Sequence, residues 1–157
     1  MIEEMGSDER AILGIVEQLF EAISWDETAA PDLSRFTAPV LPEAAIIPSA
    51  RPLAPTTIAA FAERMGGLHA AGAMKVFAER PLSSTVLVFG NIAVALGGYE
   101  ARIDGGEPTR GANGFLFVRE GESWRIAAMA WDSEREGVEL PTQLKEPQCN
   151  APGDRRG

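Results

Sequence analysis

Alternation of apolar and polar residues in the second half of the chain predicts a meander of β-strands. Each run has period 2, which indicates a strand with one buried face. Turn-forming residues separate the runs, at Gly90-Asn91, Gly105-Gly106-Glu107-Pro108 and Glu120-Gly121-Glu122. Pro81 divides the first two runs. Strands are therefore predicted at residues 74–79, 82–89, 92–103, 109–119 and 123–132.

Helical periodicity dominates the first half of the chain. Ser7 or Asp8 is predicted to cap a first helix that extends to about Ser24. Leu13, Val16, Phe20 and Ile23 recur at helical spacing along it. Two further helices are predicted, and a short strand lies between them. These elements are predicted at residues 31–36 and 56–67 for the helices and 44–47 for the strand.

Helices followed by a strand meander indicate an α+β protein. We expect a cone-shaped, curved antiparallel sheet with the N-terminal helices packed on its concave face. The Gly97-Gly98 pair lies inside the longest predicted strand and indicates a bulge or bend there. The cone is predicted to form a single domain over residues 1–136. Residues 137–157 contain three prolines and few apolar side chains, so an extended C-terminal tail is expected.

Composition narrows the function classes. The 157-residue chain is 45% hydrophobic, which suffices for one full core. Its 14 basic and 23 acidic side chains give a net charge of −9, which disfavours nucleic-acid and anionic-membrane partners. The N-terminus lacks the features of a secretory signal, and no apolar run approaches membrane-spanning length. We therefore expect a cytoplasmic protein with no nucleic-acid or membrane partner.

Metal and cofactor chemistry is not predicted. Cys149 is the single cysteine and His69 the single histidine, so no disulfide and no Cys/His metal cluster is expected. The Gly105-Gly106 pair lies in a hairpin rather than between a strand and a helix, and is therefore not a phosphate-binding loop. We expect no cofactor.

Strand parity selects side chains for a cavity between sheet and helices. In the strand predicted at residues 92–103, Ile92, Val94 and Leu96 lie on one face, and regular alternation places Glu100 on that same face. On the next strand Phe115 and Phe117 share a face with Asn113, and on the last strand the parity of Trp124 extends to Asp132. Glu100 and Asp132 are thus candidate catalytic groups and Asn113 a candidate ligand-binding group, since burial raises a carboxyl pKa toward neutrality. The alternatives are a solvated rim or cross-strand ion pairs.

Other candidate ligand-binding residues are aromatic. A bulge at Gly97-Gly98 would turn Tyr99, the only tyrosine, into the cavity and Glu100 out of it. Trp25 and Trp131 are suited to wall a cavity, although Trp131 fits a dimer contact equally well. His69 is either a proton shuttle or a helix-terminal surface residue.

Three segments carry a resemblance to a known family. They are AILGIVEQLFEAIS, TTIAAFAERM and the ending GNIAVALGGYEA…GFLFVREGESWRIAAMAWD. The chain resembles the nuclear transport factor 2-like superfamily (the cystatin-like arrangement), and within it the SnoaL-like group, over roughly residues 8–132. The resemblance implies an α+β cone with a cavity at its wide end, usually a homodimer formed through the sheet.

Catalytic positions known in this superfamily are mostly changed in this chain. Ile47 occupies the place of the steroid-isomerase aspartate, Gly98 and Glu100 replace the Arg-x-Asp pair of limonene-epoxide hydrolases, and Ala130 replaces a histidine found in many SnoaL-like proteins. The resemblance therefore favours a SnoaL-like small-molecule binding protein for an apolar or aromatic metabolite. One alternative is an acid/base enzyme (isomerase, cyclase or hydratase) acting on a hydrophobic metabolite. The other is a non-catalytic dimeric assembly module.

Overall fold

A computed structural model describes residues 5–147. Within this range three α-helices precede most of a five-stranded sheet with the order β1-β5-β4-β3-β2. Only β1 pairs in parallel; the other neighbours are antiparallel. The predicted α+β cone is confirmed. The elements are α1 (Ser7–Ile23), α2 (Leu33–Thr37), β1 (Val40–Ile47), α3 (Ile58–Ala71), β2 (Phe77–Phe89), β3 (Ile92–Ile103), β4 (Thr109–Glu120), β5 (Ser123–Ser133) and a 3₁₀ helix (Thr142–Leu144).

The start of α1 is fixed to the β4–β5 hairpin rather than capped by its own side chains. Gly6 occupies the N-cap position and no side chain accepts from the free backbone amides there. Asp8 instead accepts a hydrogen bond from Trp124 Nε1 (3.1 Å) and pairs with Arg119 (3.0 Å). The predicted cap by Ser7 or Asp8 is wrong, because the Asp8 carboxylate is bound by the hairpin.

The inner face of the sheet, which packs on the helices, carries small side chains on β3. Ala93 and Ala95 are buried in the core, whereas Ile92, Val94 and Leu96 are 47–52% exposed on the opposite, outer face. The parity assigned to β3 from sequence is therefore wrong. The larger apolar residues were expected inward, but the helices fill the core over this part of β3 and small side chains suffice there.

The glycine pair predicted a bulge or bend in β3, but the bulge lies opposite it, in β2. Pro81 pairs with Tyr99 and Ser84 pairs with Gly97, so β2 carries one extra residue opposite Gly98. β3 itself pairs with β4 without interruption. Residues 77–89 form one strand instead of the two predicted on either side of Pro81, because the bulge accommodates the proline.

A second bulge lies in β5. Leu116 pairs with Ala128 but the next residue, Phe117, pairs with Ile126, which leaves Ala127 as an extra residue. Alternation reverses at this point. Trp124 and Ile126 face inward before the bulge, and after it Met129 and Trp131 face inward.

The chain after β5 packs on the outer face. Leu140 and Leu144 are buried against Leu82 in a small apolar cluster. The backbone amide and the hydroxyl of Ser83 both donate to the carbonyl of Glu146, at 2.6 and 2.9 Å. The first part of the predicted C-terminal tail is thus attached to the sheet. The remainder, with Cys149, lies outside the described residues.

Candidate functional site

A cavity of about 250 Å³ lies between the helices and the inner face of the sheet. Its walls come from all three helices, from the segment before β2 and from β2, β3, β4 and β5. All but two of its fifteen lining residues are apolar, and the two exceptions are Glu79 and Asn113. The lining consists of Leu19, Phe20, Ile23, Phe36, Phe61, Met65, Leu68, Met74, Phe77, Glu79, Ile103, Asn113, Phe115, Met129 and Trp131.

Glu79 reaches the cavity from β2 and its backbone is held by the end of α1. The Ser24 hydroxyl accepts a hydrogen bond from the backbone N–H of Glu79 (3.0 Å) and donates to the carbonyl of Phe20 (2.8 Å). This contact joins the last turn of α1 to β2 at the level of the cavity. The backbone position of Glu79 is therefore set by two elements of the core.

Within residues 5–147 the carboxylate of Glu79 has no compensating partner. The hydrogen bonds found within residues 5–147 engage its backbone but not its carboxylate, and no Lys, Arg or His lines the cavity. Burial raises the pKa of Glu79 to about 7, because an apolar surrounding disfavours the charged form. Near neutral pH the carboxyl is consequently about half protonated and can either donate or accept a proton.

Asn113 projects into the cavity from β4. It is 5% exposed, and its amide is absent from the side-chain hydrogen bonds found in the described part of the chain. The Asn113 amide faces the cavity, where it is available to orient a bound ligand by hydrogen bonding. Asn113 was one of the residues predicted to face the cavity, and the structure places it there.

Tyr99 points inward from β3 but does not line the cavity. Its hydroxyl lies 2.8 Å from Ser133 Oγ. Burial raises the pKa of Tyr99; the hydrogen bond with Ser133 opposes this rise, and the negative charges of Glu79 and Asp132 add to it. Tyr99 therefore lies outside the cavity lining as a neutral phenol, and its pKa is raised by the negative charge of Glu79.

The two candidate tryptophans lie in different places. Trp131 lines the cavity and contacts Phe61 edge to face at 5.3 Å. Trp25 lies outside the lining, where its Nε1 donates to the Met74 carbonyl (3.1 Å) and its ring packs 5.1 Å from Phe77. His69, near the end of α3, makes an edge contact with Trp25 at 5.5 Å. Trp25 and His69 thus support the cavity wall from behind.

Glu100 lies on the outer face of the sheet, within a cluster of arginines. It is 6% exposed and pairs with Arg80 (3.4 Å), Arg102 (3.7 Å) and Arg110 (3.3 Å). Burial acts to raise the pKa of Glu100, but the hydrogen bonds and charges of Arg80 and Arg110 hold it below its usual value. The prediction that Glu100 faces the cavity is wrong, because the parity of β3 is opposite to the one assumed.

Asp132 also lies on the outer face. Its carboxylate accepts from Arg135 (2.8 Å) and from the backbone N–H of Ser133 (2.9 Å), and these hydrogen bonds lower its pKa. The bulge at Ala127 reverses the alternation of β5 and turns Asp132 away from the cavity. The predicted arrangement of Glu100, Asn113 and Asp132 in one cavity therefore does not form.

Glu79 is the cavity residue that sequence reasoning missed. Phe77 and Glu79 share strand parity, whereas Ala78 and Arg80 have the opposite one. A single carboxylate on the apolar parity of a strand was the available signal. Pro81 obscures this signal, because a proline two residues after Glu79 predicts that the strand ends there.

The described part of the chain contains neither a cluster of metal ligands nor a membrane-spanning helix. Residues 5–147 contain no group of three or more His, Cys, Asp or Glu side chains arranged to hold a metal ion. None of the helices there is long and apolar enough to cross a bilayer.

Known structures define the fold class. A nuclear transport factor 2-like protein of unknown function from Pseudomonas putida superimposes with a TM-score of 0.65, at 14% identity over 89% of this chain and 94% of that one. A candidate aromatic ring hydroxylase from Novosphingobium aromaticivorans gives 0.64, at 18% identity over 83% and 92%. A cystatin-like protein of unknown function from Nostoc punctiforme gives 0.63, at 7% identity over 84% and 96%.

This chain has the nuclear transport factor 2-like fold, in agreement with the resemblance found in its sequence. No family model and no curated protein matches the sequence.

Glu79 should make the stability of the protein depend on pH. Folding raises its pKa from the ordinary 4.5 to about 7. Its favourable contribution is therefore complete below pH 4.5 and is lost as the pH rises through 7. Between pH 5 and 8 the free energy of unfolding of the wild type should fall about 2 kcal/mol more than that of Glu79→Gln.

Urea unfolding at pH 5, 6, 7 and 8 measures this difference. Glu63→Gln, at an exposed position on α3, is the matched control and should follow the wild type. Parallel pH profiles of wild type and Glu79→Gln would show that the carboxyl is not desolvated.

Proposed function

We propose that this protein binds a compact apolar or aromatic small molecule, as a SnoaL-like binding protein. The apolar cavity carries the proposal. An apolar cavity of about 150 Å³ holds benzene, so about 250 Å³ is suited to a substituted single ring. Polar groups in such sites are few and fix the orientation of the ligand, a role available here to Glu79 and Asn113.

Acid/base catalysis is the second candidate function, and Glu79 is the observation that favours it. Proton transfer is most efficient when the pKa of the catalytic group lies near the working pH. Glu79 meets this condition inside the cavity, with Asn113 as a hydrogen-bonding group in the same wall. We assign the general acid/base role proposed for Glu100 and Asp132 to Glu79. The reaction class is an isomerisation, cyclisation or hydration of a hydrophobic molecule.

A screen of single-ring aromatic compounds tests binding. Tryptophan fluorescence reports on occupancy, because Trp131 lines the cavity, and thermal shift reports on stabilisation. At least one compound should raise the melting temperature and change the fluorescence. Proton NMR of each binding compound after incubation separates the two functions, because it also detects isomers of unchanged mass: Glu79→Gln should retain binding of neutral compounds and lose any conversion.

The matched variants are Ile103→Trp and Leu53→Trp. Ile103 lines the cavity and is 49% exposed, so tryptophan there should obstruct entry and weaken binding at least tenfold. Leu53, 58% exposed in a loop, should tolerate the same change. Equal binding by the Ile103 variant, or no binding by any compound, contradicts the proposal.

We further propose that the outer face joins two copies of the chain in a homodimer. Six large apolar side chains project from it at 39–84% exposure: Leu87, Phe89, Ile92, Val94, Leu96 and Leu116. Together they present roughly 600 Å² of apolar surface, at the upper end of what a monomer exposes. This is close to the ~800 Å² that each subunit contributes to a standard interface. A second copy of the chain could therefore bury these apolar side chains.

Val94→Asp tests the dimer. A carboxylate at the centre of this face would be buried without a partner in each subunit. Sedimentation analysis at micromolar concentration should show a dimer for the wild type and for Leu53→Asp, and a monomer for Val94→Asp. A monomeric wild type would refute the assembly.

A further inference from the structure

We propose that the cavity selects a compact arylalkyl amine, bound as its ammonium ion by Glu79 and surrounding aromatic rings. This inference deepens the proposed binding function and depends on it. Four features of the site support it: an unpaired carboxylate, an aromatic lining, the lack of basic groups in that lining, and an acidic chain.

The first feature is the carboxylate itself. Glu79 lines an apolar cavity to which the described part of the chain contributes no cationic side chain. Glu79 is half-buried. A charge removed from water without a partner is unfavourable, and a ligand cation would supply that partner. Glu100, in contrast, is already neutralised by three arginines on the outer face. The ammonium group of a ligand would therefore pair with Glu79 without competition from the protein.

The second feature is the density of aromatic rings around this carboxylate. An ammonium ion is attracted to the negative face of an aromatic ring, and the attraction is larger where water is excluded. Six of the fifteen lining residues are aromatic. They are Phe20, Phe36, Phe61, Phe77, Phe115 and Trp131.

The other titratable groups near Glu79 leave its charge uncompensated. Tyr99 approaches from β3 and its raised pKa keeps it neutral. His69 on α3 is turned toward Trp25. The nearest basic residue along β2, Arg80, pairs with Glu100 on the outer face. The charged residues Glu21 of α1 and Glu63 of α3 are exposed.

The net charge of −9 also favours cations over anions at the surface of the protein. An aromatic carboxylate would be repelled both by this charge and by ionised Glu79. A neutral ligand with a hydrogen-bond acceptor would instead prefer protonated Glu79, and its binding would weaken as the pH rises. The direction of the pH dependence therefore distinguishes an amine from a neutral ligand.

Two ligands of nearly equal shape provide the test: 2-phenylethylamine and 2-phenylethanol. Titration calorimetry with the wild type at pH 8 should show at least tenfold tighter binding of the amine. At pH 6 only about a tenth of Glu79 is ionised, so the affinity for the amine should fall about tenfold while that for the alcohol does not fall. Glu79→Gln should bind both ligands alike at either pH, and Glu63→Gln should behave as the wild type.

Each outcome separates this inference from the binding function. If the alcohol binds and the amine has no advantage, or if the preference for the amine survives in Glu79→Gln, the amine inference fails and the cavity remains a binding site. If neither ligand binds the wild type, both proposals fail for single-ring ligands. The wild-type pH comparison decides the matter even if Glu79→Gln does not fold.

Discussion

Two β-bulges determine which side chains can act in this protein. The bulge in β2 accommodates Pro81 and keeps Glu79 on the inner face of a continuous strand. The bulge at Ala127 brings Trp131 inward and turns Asp132 outward. Because side chains alternate with period 2, one extra residue exchanges the two faces for the rest of a strand. The inward positions of Glu79 and Trp131 follow from these two irregularities.

The same sheet carries two carboxylates in opposite electrostatic environments. Glu100 is surrounded by guanidinium groups and stays ionised below its usual pKa. Glu79 faces apolar side chains and has a pKa of about 7. They belong to adjacent strands, and the position that pairs with Glu100 is Arg80, the residue after Glu79. Glu79 and Arg80 are consecutive and face opposite sides of the sheet. One side holds the ion pair of Glu100, and the other holds a carboxyl group that can exchange a proton.

The fold was predictable from the sequence and the site only in part. Helical periodicity and long period-2 runs are strong signals, and β3 was predicted with its exact bounds, Ile92–Ile103. Asn113 was placed correctly because β4 alternates regularly over its inner face. The sequence left the outward orientation of Glu100 and Asp132 as an alternative but did not select it, since Ile92 and Val94 are more apolar than the inward alanines and Ala127 carries no sign of a bulge. Apolar residues on the outer face of a sheet produce the same alternation in the sequence as core residues, so alternation alone does not tell which face is buried.

Both proposed roles of the cavity depend on the ionisation of Glu79, which carbon-13 NMR titration of its side-chain carboxyl measures. The signal is assigned by its absence from Glu79→Gln. A titration midpoint near pH 7 is expected in the ligand-free protein. A midpoint near the ordinary value of 4.5 would mean that water or a cation already solvates the carboxylate, and would contradict both the proton-transfer role and the amine site.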